Sequence, residues 1–279
     1  MRILTVSAVE ESVRRLCLAA CCELPADVLA ALEAAKKAEV PGSAAASVLD
    51  QLIENQRLAR ERRRPVCQDT GLVLVFLDVG RELFLQGDVE AAVNAGVRRA
   101  YTEGYLRKSI LSPLSRVNTG DNTPAVLHVR YVPGDRLHVS VLPKGFGSEN
   151  QSRLFMLTPA EGEEGVIRSI VSAAVEAGAS ACPPFVVGAG IGGTADSAML
   201  LAKRQLLRPV GAPAEDETLA AVERAALTRI NASGIGPMGL GGRTTALAVH
   251  AGAEPTHIAG LPVAVSLQCH ACRRAGEVL

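Results

Sequence analysis

The sequence predicts a mixed protein of the α/β or α+β class, with a helical first third followed by mixed β-sheets flanked by helices. Apolar residues recur at helical spacing from residue 9 to about residue 60. Short β-branched runs then alternate with helical segments through the rest of the chain. A length of 279 residues allows one large domain or two small ones. We expect one domain over residues 1–279, with a helical part at 1–63 and an α/β part at 64–279.

The elements follow from periodicity and from the residues that interrupt it. In the first third, Pro25 and Pro41-Gly42 separate the helical stretches, and Ser43 is placed to cap the third. Glycine, proline and acidic residues separate the later elements. Predicted helices cover residues 9–22, 27–39, 43–60, 88–105, 165–177, 194–207 and 217–230. Predicted strands cover residues 72–79, 185–187, 245–249 and 263–267, and a hairpin joins 125–131 to 137–142.

Composition excludes several classes of protein. The formal net charge is zero, which gives no general attraction to nucleic acid or to anionic membranes. Aromatic residues make up 3% of the chain and tryptophan is absent, so base-stacking surfaces are not expected. No stretch approaches the roughly 20 apolar residues of a membrane helix, and the charged start does not resemble a signal peptide. Seven cysteines, an odd number, indicate a reducing compartment, so we expect a cytoplasmic protein.

Three cysteines stand at breaks between predicted elements rather than inside them. Cys67 lies in a turn bracketed by Pro65 and Gly71, Cys182 precedes two prolines, and Cys269 follows a predicted strand. Thiols at such positions can approach one another from distant parts of the sequence and bind a metal centre. From the residues alone, a metal role and a structural role are about equally supported.

The other cysteines and the histidines favour different interpretations. Cys17, Cys21 and Cys22 share one predicted helix, where cysteine usually packs as a small apolar residue. Cys272 forms a CxxC pair with Cys269, which admits a redox pair or half of a zinc site. His257, on a predicted loop, is the histidine best placed for a reactive role.

A second alternative is a dinucleotide-binding protein. Residues 188–193 read GAGIGG, which satisfies the GxGxxG pattern after a predicted strand and before a predicted helix. The acidic residue expected about 20 positions later is missing, because that region reads Leu207-Arg208-Pro209. We therefore expect these glycines to let backbone approach a metal centre beside Cys182 instead.

Six ordered motifs resemble the class I fumarate hydratase and L-tartrate dehydratase family, specifically its alpha subunit or amino-terminal domain. The resemblance spans nearly the whole chain. The motifs are PVCQDTG at 65–71, SPLSRVNTGDNTP at 112–124, PKGFGSEN at 143–150, CPPFVVGAGIGGTAD at 182–196, GIGPMGLGGRTT at 234–245 and the cysteine turn at 269.

The resemblance implies an iron–sulfur hydro-lyase. Its [4Fe–4S] cluster would be held by three cysteines, which match Cys67, Cys182 and Cys269. The fourth iron, without a protein thiolate, would act as a Lewis acid toward the substrate hydroxyl.

The resemblance also implies the substrate contacts. Gln68 and Asp69 match the pair beside the first cysteine, and Asp69 would take part in proton transfer. Arg116 matches an arginine that binds a substrate carboxylate. Gly147 would offer its backbone amide, although Phe146 replaces a glycine of the family loop. His257 matches a histidine that orients the substrate or passes a proton.

The resemblance finally implies a partner and a substrate. The chain ends ten residues after Cys269, whereas single-chain relatives continue into a second domain. We therefore expect a beta subunit that supplies the base, in a hetero-oligomer such as a dimer of alpha–beta pairs. The substrate would be a C4-dicarboxylate. The residues of the motifs at 118–124, 143–150 and 239–245 resemble the fumarase branch of the family, which favours malate and fumarate over tartrate.

Overall fold

The computed structural model describes residues 2–279, which divide into two compact units made of separate stretches of chain. Unit 1 contains the residues up to Pro25, Gln56–Phe146 and Arg273–Leu279. Unit 2 contains Ala26–Asn55 and Gly147–Cys272. Among the described residues, no helix has both the length and the apolar character needed to cross a membrane.

Helices and strands alternate along the described chain, as the sequence predicted. The helices are α1 (Val6–Cys22), α2 (Ala26–Ala38), α3 (Ala44–Arg62), α4 (Val89–Glu103), α5 (Phe146–Glu149), α6 (Gly162–Ala177), α7 (Ala195–Gln205) and α8 (Glu217–Asn231). The strands are β1 (Arg2–Thr5), β2 (Leu72–Gly80), β3 (Leu83–Gln86), β4 (Val126–Val132), β5 (Leu137–Lys144), β6 (Arg153–Leu157), β7 (Phe185–Gly192), β8 (Ala246–Glu254), β9 (Leu261–Gln268) and β10 (Ala275–Val278). The mixed α/β class and the helical amino-terminal region are confirmed.

Unit 1 is built on a four-stranded sheet in the order β10-β5-β2-β4. Strand β2 is parallel to β4 and antiparallel to β5. Helices α1 and α4 pack against each other, and their apolar residues share one core with alternate residues of β2, such as Val73, Val75 and Leu77. Strand β2 is therefore a central strand, and the turn that carries Cys67 leads directly into it.

The predicted hairpin between residues 125–131 and 137–142 is wrong. Both strands exist, but β2 lies between them and pairs with each. The connection around Gly134 crosses the end of β2, where the Glu82 amide donates to the Gly134 carbonyl at 3.0 Å. Because β2 is apolar on both faces, it is more stable between two strands than at an edge.

Unit 2 is built on a second four-stranded sheet, in the order β6-β9-β7-β8. Helices α6 and α8 cover one face, where apolar side chains of β7, β8 and β9 form the core. Helix α7 packs on the opposite face through Ala198 and Ala202. Strands β7 and β9 are antiparallel, with Val186 opposite Gln268. The start of β7 therefore lies beside the end of β9.

The glycines of the GxGxxG pattern serve helix packing, which corrects both interpretations given to them. Gly188 and Gly190 lie inside β7 rather than in a loop before a helix. A Cβ atom on Gly188 would stand 2.1 Å from the Ala202 carbonyl oxygen, and one on Gly190 would stand 2.0 Å from that of Ala198. The backbone of α7 occupies this space, so these two glycines accommodate neither a pyrophosphate nor a metal centre.

The remaining predictions of individual elements are confirmed in part. Ser43 does cap α3, since its hydroxyl accepts from the Ala46 amide at 3.1 Å. The predicted loop at residues 143–150 instead contains the end of β5 and the short helix α5. Strands β1, β3, β6 and β10 were not predicted, and β7 is longer than predicted. Each of the four missed strands is only four or five residues long, too short to show a periodicity.

Candidate active site

In unit 1, the Cys67 turn occupies residues 67–71, just before β2. The turn is linked to the end of α1, because the amide of Val66, the residue before the turn, donates to the Cys21 carbonyl at 2.9 Å. Cys67 is half-buried and its sulfur lies 3.5 Å from Oε1 of Gln68, whose side chain is exposed. The turn thus presents the Cys67 thiol and the Gln68 amide side by side.

The Asp69 carboxylate is held by two backbone amides. Oδ1 accepts from the Gly71 amide at 3.0 Å, and Oδ2 accepts from the Phe146 amide at 2.9 Å. A Cβ atom on Gly145 would stand 3.1 Å from Oδ2, so the absence of a side chain there helps the chain approach Asp69. Phe146, which departs from the family pattern, contributes its amide to Asp69 while its side chain is 47% exposed.

The carbonyl groups of the same turn accept from three buried side chains. Nη1 of Arg273 donates to the Asp69 carbonyl at 2.5 Å, and the Tyr101 hydroxyl donates to that of Thr70 at 2.7 Å. Nδ2 of Asn122 donates to the Gly71 carbonyl at 3.2 Å. Each of these three side chains is 1% exposed or less. Burial raises the pKa of Tyr101 well above its ordinary value, so its hydroxyl remains a donor.

Arg116 and Arg107 are two of several exposed arginines in unit 1. Arg116 lies at a left-handed position, with φ 59°, in the tip of an irregular loop. Arg107, which the sequence analysis did not select, is attached to the Cys67 turn. Its carbonyl accepts from the Thr70 hydroxyl at 3.0 Å. The structure thus links the main chain of Arg107 to the turn.

In unit 2, Cys182 follows a short 3₁₀ helix, Gly178–Ala181, and precedes β7. It is half-buried and adopts left-handed backbone angles, φ 51° and ψ 68°. Its carbonyl accepts from the His270 amide at 3.1 Å, and the Pro183 carbonyl accepts from the Met238 amide at 2.8 Å. The glycine-rich segment around Met238 therefore borders the Cys182 turn.

Cys269 lies immediately after β9, also half-buried. Because β7 and β9 are antiparallel, the chain after β9 meets the chain before β7, and the bond from His270 to Cys182 ties the two cysteine turns together. Unit 2 thus brings Cys182 and Cys269 to the same end of its two central strands, β7 and β9. It also brings His270 there, a histidine that sequence reasoning noted only as part of the CxxC segment.

His257 lies at the opposite end of these strands. It sits on the connection between β8 and β9, close to the end of β7, because the Thr256 hydroxyl donates to the Gly193 carbonyl at 2.8 Å. The length of β7 separates the two ends by roughly 25 Å. His257 is exposed, and its Nδ1 accepts from the Ala259 amide at 3.2 Å. This separation argues against contact of His257 with Cys182 or Cys269 of the same chain.

Gly147 lies in unit 2 near the Cys182 turn. It belongs to helix α5, and a Cβ atom on it would stand 3.4 Å from the Ser180 carbonyl oxygen. Ser180 is two residues before Cys182. The structure therefore places Gly147 beside the segment that carries this thiol.

The helical cysteines differ from the three turn cysteines in burial and in acidity. Cys17 and Cys21 are fully buried in the core of unit 1, which confirms that they pack as apolar residues. Burial raises the pKa of Cys21 to about 12 and that of Cys17 well above its ordinary value. Both therefore remain thiols, and neither is a metal ligand of the described structure.

The arrangement of donor side chains opposes a site for a single metal ion. Among residues 2–279, no three His, Cys, Asp or Glu side chains are grouped so as to hold one metal ion. This finding opposes the zinc site suggested by Cys269 and Cys272, the latter of which is 1% exposed. Cys67 in unit 1 and Cys182 and Cys269 in unit 2 are half-buried thiols in turns, and thiolate is the usual ligand of iron–sulfur clusters.

Comparison with known proteins identifies the family. Residues 10–277 match the family described as Fumarate hydratase (Fumerase). A protein of Methanocaldococcus jannaschii named "Putative L(+)-tartrate dehydratase subunit alpha" is 42% identical over 260 residues, which cover 90% of each chain. The L(+)-tartrate dehydratase subunit alpha of Escherichia coli strain UTI89 is 32% identical over 255 residues, covering 90% of this chain and 84% of the relative. The chain belongs to the class I fumarate hydratase and tartrate dehydratase family of hydro-lyases.

Proposed function

We propose that this chain is the alpha subunit of a [4Fe–4S]-dependent fumarate hydratase, which interconverts (S)-malate with fumarate and water. The match to the fumarate hydratase family over residues 10–277 carries this proposal. Its chemical support is the set of three half-buried turn thiols, Cys67, Cys182 and Cys269, which would hold the cluster. When bound, the cluster supplies a Lewis acid that stabilises the hydroxide as it leaves.

Asp69 is the group of this chain best placed for proton transfer. It lies two residues from Cys67, and two backbone amides fix its carboxylate in one orientation. A fixed carboxylate next to the substrate hydroxyl would exchange a proton with the departing oxygen. Gln68, exposed and adjacent, would hydrogen-bond the substrate. His257 receives no step in this chain because of its distance from Cys182 and Cys269.

Two arginines, Arg116 and Arg107, are candidates to bind the substrate carboxylate, and one variant of each distinguishes between them. A planar guanidinium binds a carboxylate through two hydrogen bonds, and its loss costs about 2–3 kcal/mol of binding, or roughly a hundredfold in KM. We expect Arg116→Met to raise KM by this factor, because Arg116 matches the family arginine that binds a substrate carboxylate. If Arg107, whose main-chain carbonyl is bonded to the Cys67 turn, binds the carboxylate, Arg107→Met will raise KM instead. Steady-state kinetics of both variants decides the assignment.

The names of the relatives support a partner subunit. Both are named as alpha subunits, which implies a beta subunit in their assemblies. We propose that a beta subunit likewise joins this chain and supplies the base that removes the carbon-bound proton. The complex would be a hetero-oligomer, such as a dimer of alpha–beta pairs.

L-tartrate dehydration is the second candidate, and the same relatives favour it, because both are named as tartrate dehydratase subunits. Tartrate differs from malate by one hydroxyl group. A site that hydrogen-bonds this hydroxyl would discriminate strongly between the two substrates, since a buried polar group would otherwise lose its partner.

Reconstitution tests the function and the substrate together. The chain is prepared without oxygen, alone and with its beta subunit, and is assayed with (S)-malate and with L-tartrate. We expect turnover only of the complex, with the kcat/KM for malate at least about 100-fold above that for tartrate. The reverse ratio would establish the tartrate dehydratase. Full activity of the chain alone would refute the shared active site, and zinc in place of iron and sulfide would refute the hydro-lyase mechanism.

A further inference from the structure

The three buried donors beneath the Cys67 turn form a clamp on consecutive peptide units. We define the turn clamp as Arg273, Tyr101 and Asn122, which donate to the carbonyls of Asp69, Thr70 and Gly71 respectively. The three donors come from positions far apart in the sequence, yet they satisfy three carbonyls in a row. Such a turn has no regular secondary structure to fix its backbone, so these bonds replace a hydrogen-bond ladder.

Arg273 is the member whose presence requires most explanation. It is the largest fully buried side chain described, at 1% exposed, and burying a guanidinium carries a large desolvation cost. It bonds the peptide carbonyl of Asp69, and its Nη2 lies close enough to Gly145 that a Cβ there would approach it to 3.2 Å. Arg273 thus lies beside the backbone of Asp69 and beside Gly145. Gly145 precedes Phe146, whose amide donates to the Asp69 carboxylate.

Tyr101 contributes a hydrogen bond that is fully buried. Its hydroxyl lies 2.7 Å from the Thr70 carbonyl and 3.1 Å from that of Gly71, so its single proton is directed mainly to the nearer oxygen. Tyr101 belongs to α4, and its ring is fully buried in the core of unit 1. The core therefore fixes the position of the hydroxyl, and the hydroxyl fixes the turn.

We infer that Arg273 and Tyr101 are positioning residues, which hold the backbone of the Cys67 turn so that the Cys67 thiol and the Asp69 carboxylate keep one geometry. That this geometry serves catalysis rests on the proposed function, whereas the claim that the two side chains fix the turn backbone does not. Neither residue contacts the substrate in this scheme. Their effect passes through the peptide groups of Asp69 and Thr70.

The test compares thiol reactivity within one molecule. The full-length chain is prepared without iron, and the alkylation rates of Cys67, Cys182 and Cys269 are measured by peptide mass spectrometry. Loss of one hydrogen bond corresponds to roughly a tenfold change in a local opening equilibrium. We therefore expect Tyr101→Phe and Arg273→Gln to raise the Cys67 rate about tenfold, with Cys182 and Cys269 unchanged within about twofold. Arg273→Lys, which keeps a donor and the charge, should restore part of the wild-type rate.

A matched control separates positioning from general loss of stability. Asp88→Ala removes a hydrogen bond to the Ala91 amide at the start of α4, at the opposite end of that helix from Tyr101. It should lower the melting temperature to a similar extent without changing the ratio of the three rates. An increased Cys67 ratio in Asp88→Ala, or equal changes at all three thiols in Tyr101→Phe, would overturn the inference.

A second measurement uses the reconstituted complex. Because the clamp fixes catalytic geometry rather than binding substrate, Tyr101→Phe should lower kcat about tenfold and leave KM within about twofold. An unchanged kcat beside an altered Cys67 rate would overturn the catalytic part of the inference. If the wild-type complex turns over neither malate nor tartrate, the proposed function fails, while the alkylation rates still decide the clamp.

Discussion

Replacing any one of Cys67, Cys182 and Cys269 with serine should abolish cluster binding and lower turnover by about three orders of magnitude. The reason is the donor chemistry: a serine hydroxyl is a far weaker ligand than thiolate for iron in such a cluster. A Lewis acid stabilises the developing charge by several kcal/mol, and each 1.4 kcal/mol is a factor of ten in rate. The measurements are iron and acid-labile sulfide per chain, visible absorption under anaerobic conditions, and kcat in the presence of the beta subunit.

Cys22→Ser is the matched control for the cysteine variants. Cys22 is also half-buried, but it lies in α1 rather than in a turn, and burial raises its pKa. This variant should retain iron, sulfide and activity near the wild-type values. Retention of a full cluster in Cys67→Ser, Cys182→Ser or Cys269→Ser would remove that cysteine from the ligand set. Loss of the cluster in Cys22→Ser would show that the assay reports instability instead.

Gly190→Ala should destabilise the chain by about 3 kcal/mol and lower the melting temperature of unit 2 by about 10 °C. The added Cβ would stand 2.0 Å from the Ala198 carbonyl oxygen, so α7 would have to move away from the sheet. Thermal unfolding followed by circular dichroism measures the shift. Gly188→Ala should behave in the same way, because the Ala202 carbonyl is 2.1 Å from its added Cβ.

Gly260→Ala provides the comparison, because its Cβ would have no heavy atom within 4 Å and its φ does not require glycine. It should leave stability unchanged or raise it by up to about 1 kcal/mol, through the smaller entropy of the unfolded chain. If Gly190→Ala melted like Gly260→Ala, close helix packing would be the wrong reason for the glycine. Binding of a dinucleotide that disappears in Gly190→Ala would revive the alternative that the structure opposes.

The sequence predicted the local elements better than their pairing. Periodicity located the long helices, and Ser43 caps α3 as expected. Helix α4 begins next to Asp88, close to the predicted start at residue 88, and the Asp88 carboxylate caps it. The hairpin prediction failed because β4 and β5 are adjacent in sequence but not in the sheet. Which strand lies between two others depends on the burial of both faces of β2, a property of the assembled layers and not of any one turn.

The candidate site divides in the same way. The sequence by itself determined the family, through its ordered motifs, and it selected the three turn cysteines and Asp69 by residue type and by their place at element breaks. The tertiary structure decided which side chains surround them. It brings the side chains of Tyr101, Asn122 and Arg273 and the main chain of Arg107 to the Cys67 turn. It also places His257 at the opposite end of strands β7 and β9 from Cys182 and Cys269.

Motifs and periodicities are properties of neighbouring residues, and so the chain alone fixes the helices, the turns and the chemical character of each segment. A contact such as that of Arg273 with Asp69 joins residues 204 positions apart, and no local pattern encodes it. Such contacts form only when the sheets and helices pack, because burial makes an unsatisfied carbonyl costly and selects the one donor within reach.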